Sequence, residues 1–101
     1  MKEEILNGIN YRLNGWTKTA EVIKKSGGYE GDIIIPETVV FNERTYRVTS
    51  IGRHAFDGCD SLLSITYQGT MAQWKKIKLG YFWKIPIPTA VLHCTDGDVK
   101  V

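Results

Sequence analysis

The sequence predicts a mainly β (α+β) chain of 101 residues, wound as a short solenoid of hairpins and strands with one capping α-helix. The first observation behind this is the stretch 48–66, VTSIGRHAFDGCDSLLSIT. Its apolar residues Val48, Ile51, Ala55, Phe56, Cys59, Leu62 and Ile65 recur mostly every three or four positions, the spacing of a helix. Gly52 and Gly58 would each cost such a helix about 1 kcal/mol, and both ends of the stretch are β-branched. A composite unit fits better: strand, tight turn at Gly52, short helical turn over 54–56, bend near Gly58, strand again. One coil of a solenoid is built this way. The second observation is a repeat. Ile35-Pro36 and Tyr67-Gln68 stand in equivalent places thirty-two residues apart, and removing the nine-residue detour over 40–48 leaves twenty-three, inside the range of about 20–29 for short solenoid coils. The third is the turn chemistry between alternating apolar runs, Asn14-Gly15 near the start and Asp96-Gly97 near the end.

Each element follows from local pattern. Over 8–24, Ile9, Tyr11 and Leu13 alternate before Asn14-Gly15, and Ala20 and Val22 alternate after, so a hairpin is expected. A four-residue loop over 14–17 would pair Tyr11 with Ala20 and Ile9 with Val22, burying more apolar surface than a two-residue turn. The Gly-rich stretch 26–31 is a connection. It leads into the strand Asp32-Ile33-Ile34-Ile35 and not into a helix N-terminus, so it does not read as a phosphate-binding loop. Pro36 ends that strand. An inserted hairpin over 39–48 pairs Val39-Val40-Phe41 with Thr45-Tyr46-Arg47-Val48. Glu43 at its tip cannot take a positive φ cheaply, which predicts a loop longer than a tight type I′ turn.

Beyond the coil over 32–67, a C-terminal cap over 68–101 is expected. Thr70 with Gln73 makes a capping box and Gly80 a C′ stop, predicting a helix over 70–79 with Met71, Trp74 and Ile77 on its buried face. Lys75, Lys76 and Lys78 then form a solvated face. The apolar run Tyr81-Phe82-Trp83 and Ile85-Pro86-Ile87-Pro88 either covers the open core end or stands exposed. A closing hairpin over 90–101 is expected to turn at Asp96-Gly97.

These motifs together resemble the BspA-like leucine-rich repeat family, whose repeat runs roughly IPxxVTxIGxxAFxxCxxLxxI. GDIIIP, VTSIGRHAFDGC and ITYQGTMAQWKKI through HCTDGD carry the likeness across most of the chain. The resemblance implies a single leucine-rich-repeat-like domain over 1–101 ending in the family's C-terminal cap. It also implies a protein-interaction or adhesion module of a bacterial surface or secreted protein, without enzymatic activity.

Composition and charge exclude several other classes. Hydrophobic residues at 43% and charged residues at 24% suit a globular chain and argue against disorder. Thirteen Lys+Arg against eleven Asp+Glu leave a net charge of +2, too small to imply a nucleic-acid partner without a concentrated patch. No run approaches the roughly 18 apolar residues of a membrane span, and no signal-peptide core follows the first residues, so the chain as written reads as cytoplasmic or trimmed.

No catalytic, metal or cofactor site is expected. His93 and Cys94 are strand neighbours and point to opposite faces, Cys59 sits where the repeat wants a small buried residue, and both thiols are expected free. Two His and two Cys lack zinc spacings, and Asp96 with Asp98 lacks the other ligands of a calcium loop. Exposed Trp16, Tyr81 and Trp83 are the candidate partner-binding residues. Three coplanar exposed rings would favour a carbohydrate ligand, and buried rings a protein. A monomer is expected, with the first hairpin docked on the central coil.

Overall fold

The computed structural model describes residues 2–59, 61–83 and 91–100. Strands β1 (Lys2–Leu6), β2 (Ile9–Asn14) and β3 (Thr19–Val22) form an antiparallel meander. Strand β1 escapes the sequence reading, which begins the hairpin at residue 8. Asn7 and Gly8, at φ 50° and 82°, form a two-residue turn that sets Leu6 opposite Ile9, the positive-φ pair of a type I′ hairpin.

The β2–β3 loop has the expected four residues but spans 15–18, so Tyr11 faces Val22 and Leu13 faces Ala20. The register expected from sequence, Tyr11 with Ala20, is therefore off by two. Asn14 is the reason. Its Oδ1 accepts the N–H groups of Trp16 (3.0 Å) and Thr17 (3.3 Å), and its carbonyl accepts that of Lys18 (2.9 Å). It anchors the turn while staying paired with Thr19. A shift of two leaves the same side chains facing inward.

From β3 onward the chain alternates between two sheets. Strand β4 (Gly31–Ile35) lies in the second sheet, and β5 (Thr38–Phe41) and β6 (Arg44–Ile51) return to the first. β7 (Leu62–Tyr67) follows in the second, β8 (Lys78–Leu79) in the first, and β9 (Val91–Cys94) and β10 (Gly97–Lys100) in the second. In the first sheet β6 lies parallel between β3 and β8. In the second β7 lies parallel between β4 and β9. Ile35 stands opposite Tyr67, the partnership expected from the thirty-two-residue offset.

Three further expectations are corrected. The inserted hairpin turns tightly at Asn42-Glu43, with Phe41 opposite Arg44 and φ of 50° and 62°. Widening the loop would forfeit the Phe41–Arg44 pair, so Glu43 accepts the left-handed strain. The 54–56 piece is not a helical turn. Successive i→i+3 bonds from Ala55, Asp57, Cys59 and Leu62 fold it as consecutive turns, broken by a left-handed His54 at φ 57°. Finally, the helix over 70–79 is only α1 (Met71–Trp74). Its capping box is present as expected, but Lys78 and Leu79 leave it to pair with Ser50 and Ile51. Gly80 is not a helix stop. Its N–H donates to the Ile51 carbonyl, and a Cβ there would stand 2.4 Å from the Arg53 nitrogen.

The closing hairpin turns at Thr95-Asp96, one residue earlier than expected, and Gly97 pairs with Cys94. The shift lets Asp96 Oδ1 accept the Met71 N–H (2.8 Å) and the Thr95 N–H reach the Gly69 carbonyl (2.9 Å), which ties the hairpin to α1. Ala90, Val101 and the Ile85-Pro86-Ile87-Pro88 part of the apolar run lie outside the described residues. The core fills the space between the sheets, with Tyr11, Val22, Ile35, Ile51, Phe56, Leu62, Ile65 and Leu92 fully buried.

Two substitutions test this packing. Phe56 is 0% exposed and contacts Tyr29 and Trp83 with ring centroids at 5.3 and 6.0 Å. Phe56→Ala should destabilise by about 3–5 kcal/mol in a denaturant titration, and an unshifted midpoint would remove it from the core. Glu43→Gly should stabilise by about 0.5–1 kcal/mol, because relief of left-handed strain exceeds the entropic cost of glycine. A lowered midpoint would contradict the turn.

Candidate functional site

The three aromatic residues singled out from sequence do not form one surface. Trp16 is 96% exposed at the tip of the β2–β3 loop, and Tyr81 is 77% exposed just after β8. Because β3, β6 and β8 are parallel, the two rings project from opposite ends of those strands. Trp83 is 8% exposed and packs on Phe56 and on Trp74, so its ring belongs to the core and not to an exposed platform. The cause is backbone pairing: the His54 N–H donates to the Tyr81 carbonyl and the Phe56 N–H to the Trp83 carbonyl, both at 2.9 Å. Phe82 between them takes φ 53°, which breaks the alternation and sends Tyr81 outward while Trp83 turns in. Phe82 itself, missed in the sequence, stacks between Tyr81 and His54 at 5.8 and 5.4 Å.

The structure holds a larger feature that the sequence reading did not find. A groove of about 700 Å³ runs beside β4, between the β1–β2 turn and β5. Ile9, Tyr11, Ile33 and Val39 line it with buried side chains, while Ile34 and Val40 are exposed. Among the described residues no strand pairs with this edge of β4. Parallel strands bond each neighbour through alternate residues. The Gly31 N–H reaches the Ser61 carbonyl, and the Ile35 carbonyl accepts the Gln68 N–H. Gly31, Ile33 and Ile35 therefore bond toward β7, and Asp32 and Ile34 turn their N–H and C=O groups to the groove. The signal available in the sequence was the apolar Ile33-Ile34-Ile35 run, in which the middle residue has no inward place on a half-covered strand.

Charge in the groove is confined to Lys25, Glu30 and Asp32. Lys25 Nζ lies 5.7 Å from the Tyr29 ring centroid, and Asp32 accepts a hydrogen bond from Ser64 Oγ at 2.7 Å. The Tyr29 hydroxyl donates to the Ile23 carbonyl (2.6 Å) and accepts the Asn10 N–H (3.0 Å). Burial is the main cause that pushes its ionisation up to about 12. Burial, and secondarily Tyr29, raises that of Tyr11 as well. Both are neutral scaffold groups at physiological pH, not proton shuttles.

Elsewhere, among the described residues, neither thiol is hydrogen-bonded to a histidine. Cys59 is buried and free, and its Sγ accepts the Tyr29 N–H at 3.3 Å, pinning the preceding loop to the coil. Cys94 is also free; burial first, and then Asp96 and Asp98, raise its thiol and weaken it as a nucleophile. The adjacent His93 points away to Asp98 Oδ1 at 2.8 Å. Among the described residues no group of three or more His, Cys, Asp and Glu is placed to hold a metal ion, and no helix is long and apolar enough to cross a membrane.

The architecture is that of a mainly β protein with two mixed sheets, each built around a parallel strand pair or trio, and, among the described residues, one short helix. It is shared with a leucine-rich cell surface protein from Faecalibacterium prausnitzii A2-165, whose crystal structure matches with a TM-score of 0.56 at 20% identity over 79% of this chain. The chain spans 20% of that protein's length. No protein-family model and no curated protein matches the sequence.

The tyrosine geometry sets an alkaline limit. Tyr29 holds its proton more tightly folded, up to about 12, than at its ordinary value of 10.0. Its contribution to stability is therefore complete below about pH 10 and lost as pH rises through about 12. Phenolate absorbance should show the last tyrosines ionising together with loss of the β circular-dichroism signal. Full ionisation with the fold intact at about pH 12 would contradict the burial of Tyr29.

Proposed function

We propose that the chain is a non-enzymatic protein-interaction or adhesion module of a BspA-like leucine-rich repeat protein, one solenoid domain over 1–101 that acts as a monomer at the bacterial cell surface. The groove beside β4 carries this reading. It is the kind of partly apolar concavity with a few placed polar groups that binds a ligand, and its chemistry is recognition without catalysis. The likeness to a cell surface protein supports the location, and the docking of β3 against β6 supports a self-contained unit. The alternative, a carbohydrate-binding module, needs a platform of exposed rings. Its support is reduced to Tyr81 with Phe82, since Trp83 is buried and Trp16 lies at the far end of the strands.

The test sets the two readings against each other. The immobilised full chain is used to select from a phage-displayed peptide library and is separately probed on a glycan array. Selected peptides binding at micromolar affinity, with no glycan retained above background, are expected. Glycan binding that is lost in Tyr81→Ala, with no peptide selected, would replace the protein-interaction reading by the carbohydrate one.

A further inference from the structure

We propose that the groove beside β4 takes a single extended strand of a partner protein, which adds to the second sheet through the N–H and C=O groups of Asp32 and Ile34. The inference rests on the interaction-module reading and names the site, the binding mode and the chemistry of the partner.

Three observations converge on it. The edge of β4 facing the groove is unpaired among the described residues, and such an edge is a template for strand addition. Size comes next. β4 has five residues and so is about 17 Å long at about 3.3 Å per residue. A groove of about 700 Å³ along that length has a mean section of about 40 Å². One strand in a packed sheet occupies about 4.8 Å by about 10 Å, or about 48 Å², so the groove's section is on the scale of one strand and less than half of what two would need. A folded second copy is disfavoured on the same ground. Paired edge to edge through β4, it would bring its own neighbouring strands against the β1–β2 turn and β5 that wall the groove.

The third observation is the pattern of side chains along the edge, which defines the partner. Inward-facing residues of the added strand would meet Ile9, Tyr11 and Val39, an apolar floor that suits valine or isoleucine. Outward-facing residues would stand beside Asp32 and Ile34. With Glu30 near Asp32 and the Lys25 ammonium set over Tyr29, the rim along β4 is acidic. Cross-strand complementarity then favours lysine or arginine beside Asp32 and a β-branched residue beside Ile34. The fitting partner is an extended segment with alternate β-branched residues and basic residues between them.

The probe is a fluorescein-labelled heptapeptide alternating valine with lysine and threonine, titrated into the full chain by fluorescence anisotropy. Saturable binding is expected, with slowed hydrogen exchange at the Asp32 and Ile34 amides. Methylating alternate backbone nitrogens of the peptide should weaken binding at least tenfold, because the side chains stay and the ladder goes. Ile34→Pro should do the same, since that N–H turns away from β7 toward the groove and proline is tolerated on an edge strand. Should Ile34→Pro fail to fold, Asp32→Lys decides: it should weaken the lysine peptide several-fold and strengthen one with glutamate in its place. Binding indifferent to both methylation and Asp32→Lys would overturn strand addition. So would no binding at all by the heptapeptide, and peptides selected from the library that bind elsewhere would still leave the interaction-module reading standing. A concentration-dependent dimer abolished by Ile34→Pro would put a second copy in the groove and overturn the single-strand proposal.

Discussion

A continuous stack of five aromatic rings holds the two sheets at their working distance. Tyr29, Phe56, Trp83, Trp74 and Tyr67 follow one another with centroids 5.3, 6.0, 5.8 and 5.5 Å apart. Tilted and edge-on contacts in this range add about 0.5–1.5 kcal/mol each beyond the area they bury. The rings come from the connecting loop, the central turn, the segment after β8, the short helix and β7. Every connection between the sheets on that side therefore meets the same stack. Short strands such as Lys78–Leu79, too weak to persist alone, are held in register because the chain on both sides of them is anchored there.

The stack explains where sequence reasoning succeeded. Period-two alternation in β2 and the offset of thirty-two residues between Ile35 and Tyr67 both survive in the structure, because each is fixed by which face must be dry. The capping box at Thr70 and Gln73 was also legible, being a bond between residues three apart.

What was not legible depended on partners distant in sequence. The apparent helix after Trp74 ends because Leu79 is claimed by Ile51, a competition invisible in the local pattern. Trp83 and Tyr81 look alike in sequence and differ only because a left-handed Phe82 separates them. The turn at Asn42-Glu43 defied its own residue preference because the ladder on each side outweighs one strained φ. The groove was hidden for a related reason. It exists because no strand among the described residues pairs with one side of β4, and a missing neighbour leaves no mark in a sequence beyond an isoleucine with nowhere to turn.

The alternation between sheets also governs how the chain reaches this state. Residues paired in parallel, such as Ile33 with Ile65 or Ser50 with Lys78, are about thirty positions apart. Closing a loop of that length costs about 3 kcal/mol of chain entropy, before any constant term, and no contact repays it until the ladder forms. The hairpins β1–β2, β2–β3 and β5–β6 have no such delay, and hairpins of this kind close in about 1–10 μs. Folding is thus divided in time, with local hairpins appearing early and the coil closing late through its non-local strands. During that interval both edges of β4 are open, and correct pairing with β7 has to outrun association with other chains.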